Sequence, residues 1–371
     1  MKNDSEKSFW LGFSVFSGIG PVKFSSLLNK FGSAKNAWTA KEKDLKSILG
    51  KKLTPKFLNF RESYSIQDYE KGLKTKKVHY LILTDKQYPK LLKATKKPPF
   101  VLYIKGKFEF NLPQNSRPIA VVGARKTTHY GREVTKLLTE ELVLLGFTVV
   151  SGMAFGIDTV AAQTAIDSNG KTIAVLGNGV DVCHPITNKK LYNEIVSDNG
   201  AIVSEIPIGQ KPSKGLFPAR NRIIAGLSLG VLVTEGAEDS GALITAANAA
   251  LLGRPVFAVP GPITSTMSKG PYKLIEKGAK LVTSAQDILK ELKVSQVSRV
   301  PQGLKVSKEG KVSKASKDEE KITNLLQNES LHFNEIVRKI GKSSSETGTI
   351  LSLMEIKGII KNSGAGFYSL I

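Results

Sequence analysis

Between residues 118 and 292, short apolar runs alternate with longer segments of helical periodicity. Six of the runs have the length of strands: 119–123 (IAVVG), 148–152 (TVVSG), 172–177 (TIAVLG), 201–205 (AIVSE), 230–236 (GVLVTEG) and 255–261 (PVFAVPG). Continuous rather than alternating apolar residues indicate strands that are covered on both faces. Because helical segments such as 132–145 and 241–252 separate the runs, the pattern predicts an α/β fold with a doubly wound parallel sheet.

The chain before this sheet is predicted to form a helical domain, residues 1–65. A tight turn, SGIG at 17–20, precedes the amphipathic run VKFSSLLNKFG at 22–32, and this arrangement is typical of a helix-hairpin-helix or SAM-like domain. An ordinary two-helix turn explains the same residues equally well. Two further strand-like runs, at 80–92 and 98–106, are predicted to pack against the sheet within a domain of residues 66–292.

The chain after the sheet changes character twice. Residues 293–317 are rich in lysine and serine and are predicted to form a flexible basic linker. Residues 318–371 pattern as three helices followed by a glycine-turned hairpin, the outline of a winged-helix domain. Glu346 and Glu355 lie on the recognition helix of that domain, which favours a protein contact or weak DNA binding over strong DNA readout.

The net charge narrows the class of partner. Lysine and arginine number 54 against 32 acidic residues, a formal net charge of +22, which indicates a polyanionic partner, nucleic acid before a membrane surface. The single cysteine, Cys183, excludes an intramolecular disulfide framework and is typical of a cytoplasmic protein. Four scattered histidines argue against a zinc site. No apolar run has the length of a membrane span, so we expect no membrane insertion.

A dinucleotide cofactor is the first ligand that such a sheet suggests, because these sheets bind ligands at the carboxyl ends of their strands. After the first strand the glycines are Gly123 and Gly131, eight residues apart, and the second strand ends in Ser151 and Gly152 rather than in an acidic residue. The chain therefore lacks the dinucleotide-binding fingerprint. We expect no cofactor.

The carboxyl ends of the predicted strands instead bring together cations, glycines and one aromatic ring. We expect one crevice for successive phosphates, lined by Gly123, Arg125, Lys126, Gly152, Gly156, Lys171, Phe217, Arg220 and Arg222. Phe217 offers a stacking face for a base, and stacking of this kind holds single strands without sequence readout. The alternative for any single residue is structural: an arginine paired with Asp158 or Glu235, or Phe217 in the core.

Motifs between residues 80 and 289 resemble, in order, those of the DNA-processing protein A family, DprA or Smf. They include VVGARKTTHYG, VVSGMAFGID, GKTIAVLGNGVDVCHP, FPARNRIIAGLS and VTEGAEDSGALITAANAALLGRPVFAVPG. The resemblance implies an extended Rossmann-like domain that binds and protects single-stranded DNA and loads the recombinase RecA onto incoming strands during natural transformation. It also implies a homodimer, for which segments 246–252 and 272–275 are candidate surfaces, and a single-strand-binding protein is a further expected partner.

The same resemblance implies a set of DNA-binding residues. Arg125, Lys171, Phe217, Arg220, Asn221 and Arg222 would contact the strand, and Gly123, Gly152, Gly156, Ser240 and Gly241 would supply backbone room and N–H groups. The chain departs from the family pattern at Ala162, where histidine is common, at His184, where tyrosine is common, and at Tyr272, where asparagine is usual. These departures concern the rim of the pocket.

Two other functions remain open. Sheets of this type also occur in lysine-decarboxylase-like phosphoribohydrolases, which act on nucleotide phosphates. The corresponding segment here, TEGAEDSGALITA at 234–246, lacks the paired glycines and the downstream glutamate of those enzymes, although Glu235 and Asp158 could form an acid/base pair in principle. The other alternative is an adaptor whose linker and winged helix dock partners. We expect a binding protein without catalytic residues.

Overall fold

The computed structural model describes residues 5–110, 117–293, 317–327, 329–342, 344–356, 359–364 and 367–370. The chain divides into two compact units, Met1–Val300 and Pro301–Ile371. The predicted linker at 293–317 lies outside the described residues except for its two ends. The predicted boundaries between the domains therefore stay predictions.

Within its described residues, the first unit forms a nine-stranded sheet. The strands are β1 (His79–Ile82), β2 (Val101–Gly106), β3 (Arg117–Val122), β4 (Phe147–Ser151), β5 (Thr172–Val175), β6 (Gly200–Ser204), β7 (Val231–Val233), β8 (Val256–Ala258) and β9 (Lys280–Leu281). Their order across the sheet is β1-β2-β6-β5-β4-β3-β7-β8-β9. The strands from β3 to β9 run parallel to one another, whereas β2 is antiparallel to β6 and β1 is antiparallel to β2.

All six predicted strands are confirmed, as β3 to β8. The two further runs supply β1 and β2, which extend the sheet by hydrogen bonds as its antiparallel edge. The helices of this unit are α1 (Glu6–Val15), α2 (Pro21–Phe31), α3 (Ala34–Thr39), α4 (Glu42–Ser63), α5 (Ile66–Thr75), α6 (Lys90–Lys93), α7 (His129–Leu144), α8 (Ile157–Asp167), α9 (Lys189–Glu194), α10 (Leu216–Leu227), α11 (Gly241–Leu251), α12 (Lys269–Glu276) and α13 (Ala285–Leu292).

Alternate residues of the central strands enter two separate cores. Ile119 and Val121 of β3 face a core that includes α7, α8 and α13, whereas Ala120 and Val122 face a core that includes α10 and α11. Because helices cover both faces of the sheet, its strands are apolar at every position rather than at alternate ones. The helices α7, α8, α10 and α11 each follow a parallel strand, so each begins at the carboxyl edge of the sheet.

The helices α1 to α5 share a core with one end of the sheet. Phe13 stacks on Phe57 with ring centroids 5.2 Å apart and meets the edge of Trp38 at 5.1 Å. Tyr103 of β2 is fully buried in the same core, and its hydroxyl is hydrogen-bonded to that of Ser14 at 2.6 Å. The predicted helical region is confirmed, and its apolar residues pack directly on the sheet that follows.

The second unit has its own small core. Its elements are α14 (Lys317–Leu325), β10 (Leu331–His332), α15 (Phe333–Ile340), α16 (Ser344–Ile356), β11 (Ile360–Gly364) and β12 (Phe367–Leu370). The strands form a sheet in the order β10-β12-β11, and Ile322, Ile336 and Leu351 pack together beneath it. The predicted three helices and hairpin of a winged helix are confirmed, with β10 as a third strand.

Candidate functional site

A cleft of about 590 Å³ opens at the carboxyl edge of the parallel sheet. Its walls are the loop that follows β3 and the first turns of α10 and α11. Eight of the twelve predicted binding residues line it: Gly123, Arg125, Lys126, Phe217, Arg220, Asn221, Ser240 and Gly241. These eight residues come from three distant segments of the chain, 123–126, 217–221 and 240–241, which meet in one cleft because adjacent strands in the sheet are separated by long crossovers.

A smaller pocket of about 80 Å³ adjoins the cleft and shares Arg125, Phe217 and Arg220 with it. The ring of Phe217 has two neighbours in this pocket, Arg125 and His184. The Arg125 guanidinium carbon lies 5.5 Å from the Phe217 ring centroid, and the His184 ring lies 5.7 Å away at an interplanar angle of 33°. Arg125, Phe217 and His184 together form one lip of the site, where an aromatic ring and an imidazole ring offer stacking surfaces beside a cation.

The loop that carries Arg125 and Lys126 is clamped by a buried glutamate. One carboxylate oxygen of Glu235 accepts from the Thr128 backbone N–H at 2.9 Å, and the other accepts from the Thr128 hydroxyl at 2.7 Å. At the start of the loop, Ala124 N–H donates to the Glu235 carbonyl at 2.9 Å. The two cationic side chains themselves are exposed. Glu235 thus fixes the backbone of the loop and leaves the cations of Arg125 and Lys126 facing solvent.

Arg220 lies on the floor of the cleft and is only 6% exposed. Its Nη1 donates to the carbonyl oxygen of Gly152 at 2.6 Å and to that of Val175, so the guanidinium ties together the chain at the ends of β4 and β5. Burial lowers the pKa of Arg220 to about 10, while the nearby Asp158 opposes that shift. The side chain therefore has a structural role on the cleft floor, and a direct contact with a ligand stays a prediction.

Asp158 is the buried anion beside Arg220. Its Oδ2 accepts from the backbone N–H groups of Gly152 at 3.1 Å and Ala154 at 3.3 Å. Burial raises the pKa of Asp158, and Arg220 and the two backbone donors act in the opposite direction. Both carboxylates that the sequence offered as an acid/base pair are thus hydrogen-bonded to the chain's own backbone.

The predicted glycines divide into two kinds. A Cβ atom at Gly123 would lie 2.6 Å from Ile157 Cγ1, one at Gly152 would collide with the Arg220 guanidinium, and one at Gly156 would collide with the Ala124 carbonyl. These three glycines make room for the chain itself. At Gly241, by contrast, no atom lies within 4 Å of the Cβ position, and Ser240 caps the helix by accepting from Ala242 N–H at 3.3 Å. Gly241 alone among the four leaves open space in the cleft.

Two predicted cations lie elsewhere, which corrects the expectation of a single crevice for the whole set. Arg222 follows Arg220 by two residues on α10, about 200° around the helix, and its guanidinium pairs with Glu205 and donates to the Lys97 carbonyl at 2.7 Å. Lys171 precedes β5. It therefore lies at the amino edge of the sheet, whereas the cleft is at the carboxyl edge.

Three residues of the site were not selected from the sequence. Lys214 lines the cleft, and His184 and Phe155 line the adjoining pocket. Lys214 stands three residues before Phe217 in a short basic stretch, so its spacing was a usable signal. The sequence signal for His184 was the His-Pro pair at 184–185, where the family commonly has tyrosine before the proline. Phe155, 50% exposed, follows the second strand in a stretch of small residues that gives no comparable indication.

Two questions for the described part of the chain concern a cluster of metal-binding side chains and a helix able to cross a membrane. In that part, no group of three or more histidine, cysteine, aspartate or glutamate side chains is placed to hold a metal ion. Among the described helices, none combines the length and the apolar character that a bilayer crossing requires.

Comparison with known proteins gives concordant matches. A model of the family described as DNA recombination-mediator protein A matches residues 79–293. The chain is 39% identical over 292 residues to Protein Smf of Synechocystis sp., a match that covers 78% of this chain and 73% of that protein. The solved structure of DNA processing protein A (DprA) from Streptococcus pneumoniae is similar with a TM-score of 0.67 and 35% identity, covering 78% of this chain and 99% of that one.

A second solved structure is that of DNA processing protein A from Helicobacter pylori, described for its single-stranded DNA binding mode. It is similar with a TM-score of 0.52 and 31% identity, covering 59% of this chain and 97% of that one.

Proposed function

The chain belongs to the DNA recombination-mediator protein A family, and from that membership we propose that it binds single-stranded DNA in the cleft at the carboxyl edge of the sheet. The observation that carries the proposal is the lip of the cleft. Arg125 and His184 both lie against the ring of Phe217, and hydrogen bonds from Thr128 to the buried Glu235 hold the loop that carries Arg125. Cations beside flat rings are the groups that single strands need for phosphate contact and base stacking.

A single strand fits this arrangement better than a duplex does. Phe217 and His184 present ring faces, and a base can stack on such a face only when it is unstacked from its neighbours. The Arg125 cation lies against the same ring, so one nucleotide can meet a stacking surface and a phosphate contact together. The similar protein from Helicobacter pylori, described as binding single-stranded DNA, supports the same ligand. Because no base-edge readout is involved, we expect weak sequence preference.

The proposal includes later steps beyond strand binding. The family description as a recombination mediator supports transfer of the bound strand to a recombinase such as RecA, with protection of the strand before transfer and with a single-strand-binding protein as a further partner. A homodimer would let two clefts share one strand and raise occupancy through effective concentration. Leu251 of α11, 77% exposed, supports the candidate dimer surface at 246–252. A cytoplasmic location stays a prediction.

We propose a binding function rather than catalysis. Glu235 and Asp158 already hold backbone N–H groups of the β3 and β4 loops, so their role is positioning. Neither the contacts of these carboxylates nor the comparisons favour the phosphoribohydrolase alternative. A carboxylate that accepts backbone N–H groups in this way is poorly placed to take a proton from a substrate.

The test is fluorescence anisotropy with labelled oligothymidylate and a matched duplex over a series of salt concentrations. For Arg125→Ala we expect single-strand affinity to fall about tenfold and the slope of log K against log salt to flatten by about 0.7, because one phosphate contact is lost. Lys290→Ala, which removes an exposed cation from α13, is the matched control. Unchanged binding by a folded Arg125→Ala protein, or equal affinity for duplex, would contradict the proposal.

A further inference from the structure

A second group of cations lies outside the cleft. Lys76 and Lys77 follow α5, Lys105 lies near the end of β2, and Lys189 begins α9. These four residues are called the lysine cluster. The ring of Tyr192 joins two of them, since its centroid lies 5.0 Å from Lys189 Nζ and 5.9 Å from Lys105 Nζ. Segments far apart in the sequence thus bring four positive charges together, two of them against the ring of Tyr192.

The lysine cluster is not balanced by nearby acids. Asp181 is the carboxylate that faces it, and it pairs with Lys76 while also accepting from Gly209 N–H at 2.8 Å. Among the side chains that the structure describes, no carboxylate forms an ion pair with Lys77, Lys105 or Lys189. Mutual repulsion among like charges is therefore left in the folded protein, and a polyanion would relieve it.

The titration of Lys105 is consistent with this repulsion. Burial lowers the pKa of Lys105, and Lys189, Lys76 and Lys77 lower it further, while Asp181 acts in the opposite direction. An ammonium group in these surroundings gains more from an added negative charge than an isolated surface lysine does, because it is partly desolvated.

A rigid segment connects the lysine cluster with the cleft. His184 lines the pocket beside Phe217, and a 3₁₀ turn at Ile186–Asn188 leads directly into Lys189. The Asn188 amide donates to the Met153 carbonyl at 3.1 Å and to the Thr159 hydroxyl at 2.8 Å, which fixes the segment to the β4 loop. Lys189 follows His184 by five positions, so the two Cα atoms are at most roughly 18 Å apart.

We propose that the lysine cluster holds the sugar-phosphate backbone of the same DNA strand after the strand leaves the cleft past His184. The inference rests on the proposed function and extends the binding site beyond the cleft. Tyr192 does not stack on bases, because it is 3% exposed and its hydroxyl donates to the Val180 carbonyl. Its ring holds the ammonium groups of Lys105 and Lys189 in place by cation–π contact. Several unpaired cations without base-stacking surfaces suit a run of phosphates rather than a nucleotide.

The test compares two oligothymidylates, the shortest that the protein binds measurably and one three times as long. The variant is the double substitution Lys105→Gln with Lys189→Gln. We expect its affinity for the short oligonucleotide to equal that of the wild type. For the long one we expect a loss of about tenfold at low salt and a slope of log K against log salt that is flatter by about 1.4, for two lost contacts. The control is Lys136→Gln with Lys290→Gln, which removes the same charge from α7 and α13.

The outcomes separate the two proposals. If Arg125→Ala weakens both oligonucleotides and the double variant weakens neither relative to its control, the extended path is wrong and binding in the cleft stands. If the wild type binds no oligonucleotide at all, both proposals fail. Thermal unfolding at low salt checks folding, and we expect the double variant to melt at the same temperature as the wild type or higher, because repulsion is reduced. A double variant that weakens both oligonucleotides equally would also contradict a site outside the cleft.

Discussion

The floor and the lip of the cleft each contain an arginine, but the arginine of the floor is buried and that of the lip is exposed. On the floor, Arg220 and Asp158 are buried and bonded to backbone groups that end two strands. On the lip, Arg125 is exposed and lies beside the ring of Phe217. The comparison teaches that burial distinguishes an arginine that stabilises the fold from one that is free to contact a ligand. The residue type alone does not distinguish these two roles.

The energetic consequences differ in the same way. Removing one member of a buried, hydrogen-bonded charge pair costs about 3–5 kcal/mol of stability, because the other charge is left uncompensated. Replacing an exposed residue away from such contacts changes stability by about 0.5 kcal/mol or less. Substitutions on the floor should therefore unfold the protein more easily, and substitutions on the lip should change binding.

The largest expected effect is that of Arg220→Met on stability. The substitution keeps much of the side-chain volume but removes the donors to Gly152 and Val175 and the cation beside Asp158. We expect the free energy of unfolding to fall by about 3 kcal/mol. Urea denaturation followed by circular dichroism measures it, with Arg125→Met as the matched control. A loss below about 1 kcal/mol is typical of a surface substitution, and it would contradict the structural role of Arg220.

A pair of glycine substitutions should sharpen the same comparison with a smaller effect. At Gly152 a methyl group would collide with the Arg220 guanidinium, whereas at Gly241 it would enter open space. We expect Gly152→Ala to lower the free energy of unfolding by about 2 kcal/mol, as overpacking does, and Gly241→Ala to leave it within about 0.5 kcal/mol. Differential scanning calorimetry of the two variants provides the measurement. Equal stabilities would mean that the floor yields around the added methyl group.

The smallest expected effect is a dependence on pH from Asp158. Its pKa in the folded protein is raised by burial, so between the unfolded value of about 3.9 and the raised value the folded state binds more protons than the unfolded state. The contribution of Asp158 to stability is therefore present at low pH and is lost as the pH rises through the folded-state pKa. The unfolding free energy of the wild type, minus that of Asp158→Asn, should fall as the pH rises from about 4 to 7. Denaturation at a series of pH values tests this sign, and a difference that grows with pH would contradict it.

Local pattern was sufficient to predict much of the fold. The runs that became β3 to β8 are apolar at successive positions, because helices cover both faces of the sheet. A pattern of this kind is visible within a short stretch of sequence. The glycine and cation that follow the first strand, Gly123 and Arg125, were correctly placed at the carboxyl edge for the same reason. The chain direction of a parallel strand determines which of its ends faces the ligand.

Tertiary structure decided which of those residues share the cleft. Lys171 and Arg125 both flank strands, but they lie at opposite edges of the sheet because one precedes its strand and the other follows it. Arg220 and Arg222 are neighbours in the motif, yet helix geometry directs one to the floor and the other to Glu205.

The sequence by itself therefore determined the parallel sheet, the winged-helix outline, the basic character of the chain and the segments that supply the cleft. Only the tertiary structure decided that Glu235 clamps the Arg125 loop, that His184 lies beside Phe217 and that lysines from three distant segments form a cluster. The physical reason is that hydrophobic periodicity depends on residues close together in the sequence, so it predicts each helix or strand and which of its residues are buried. Contacts between segments depend on strand order: β3 pairs with β7 in the sheet, so Ala120 lies opposite Val231, which is 111 positions later in the sequence.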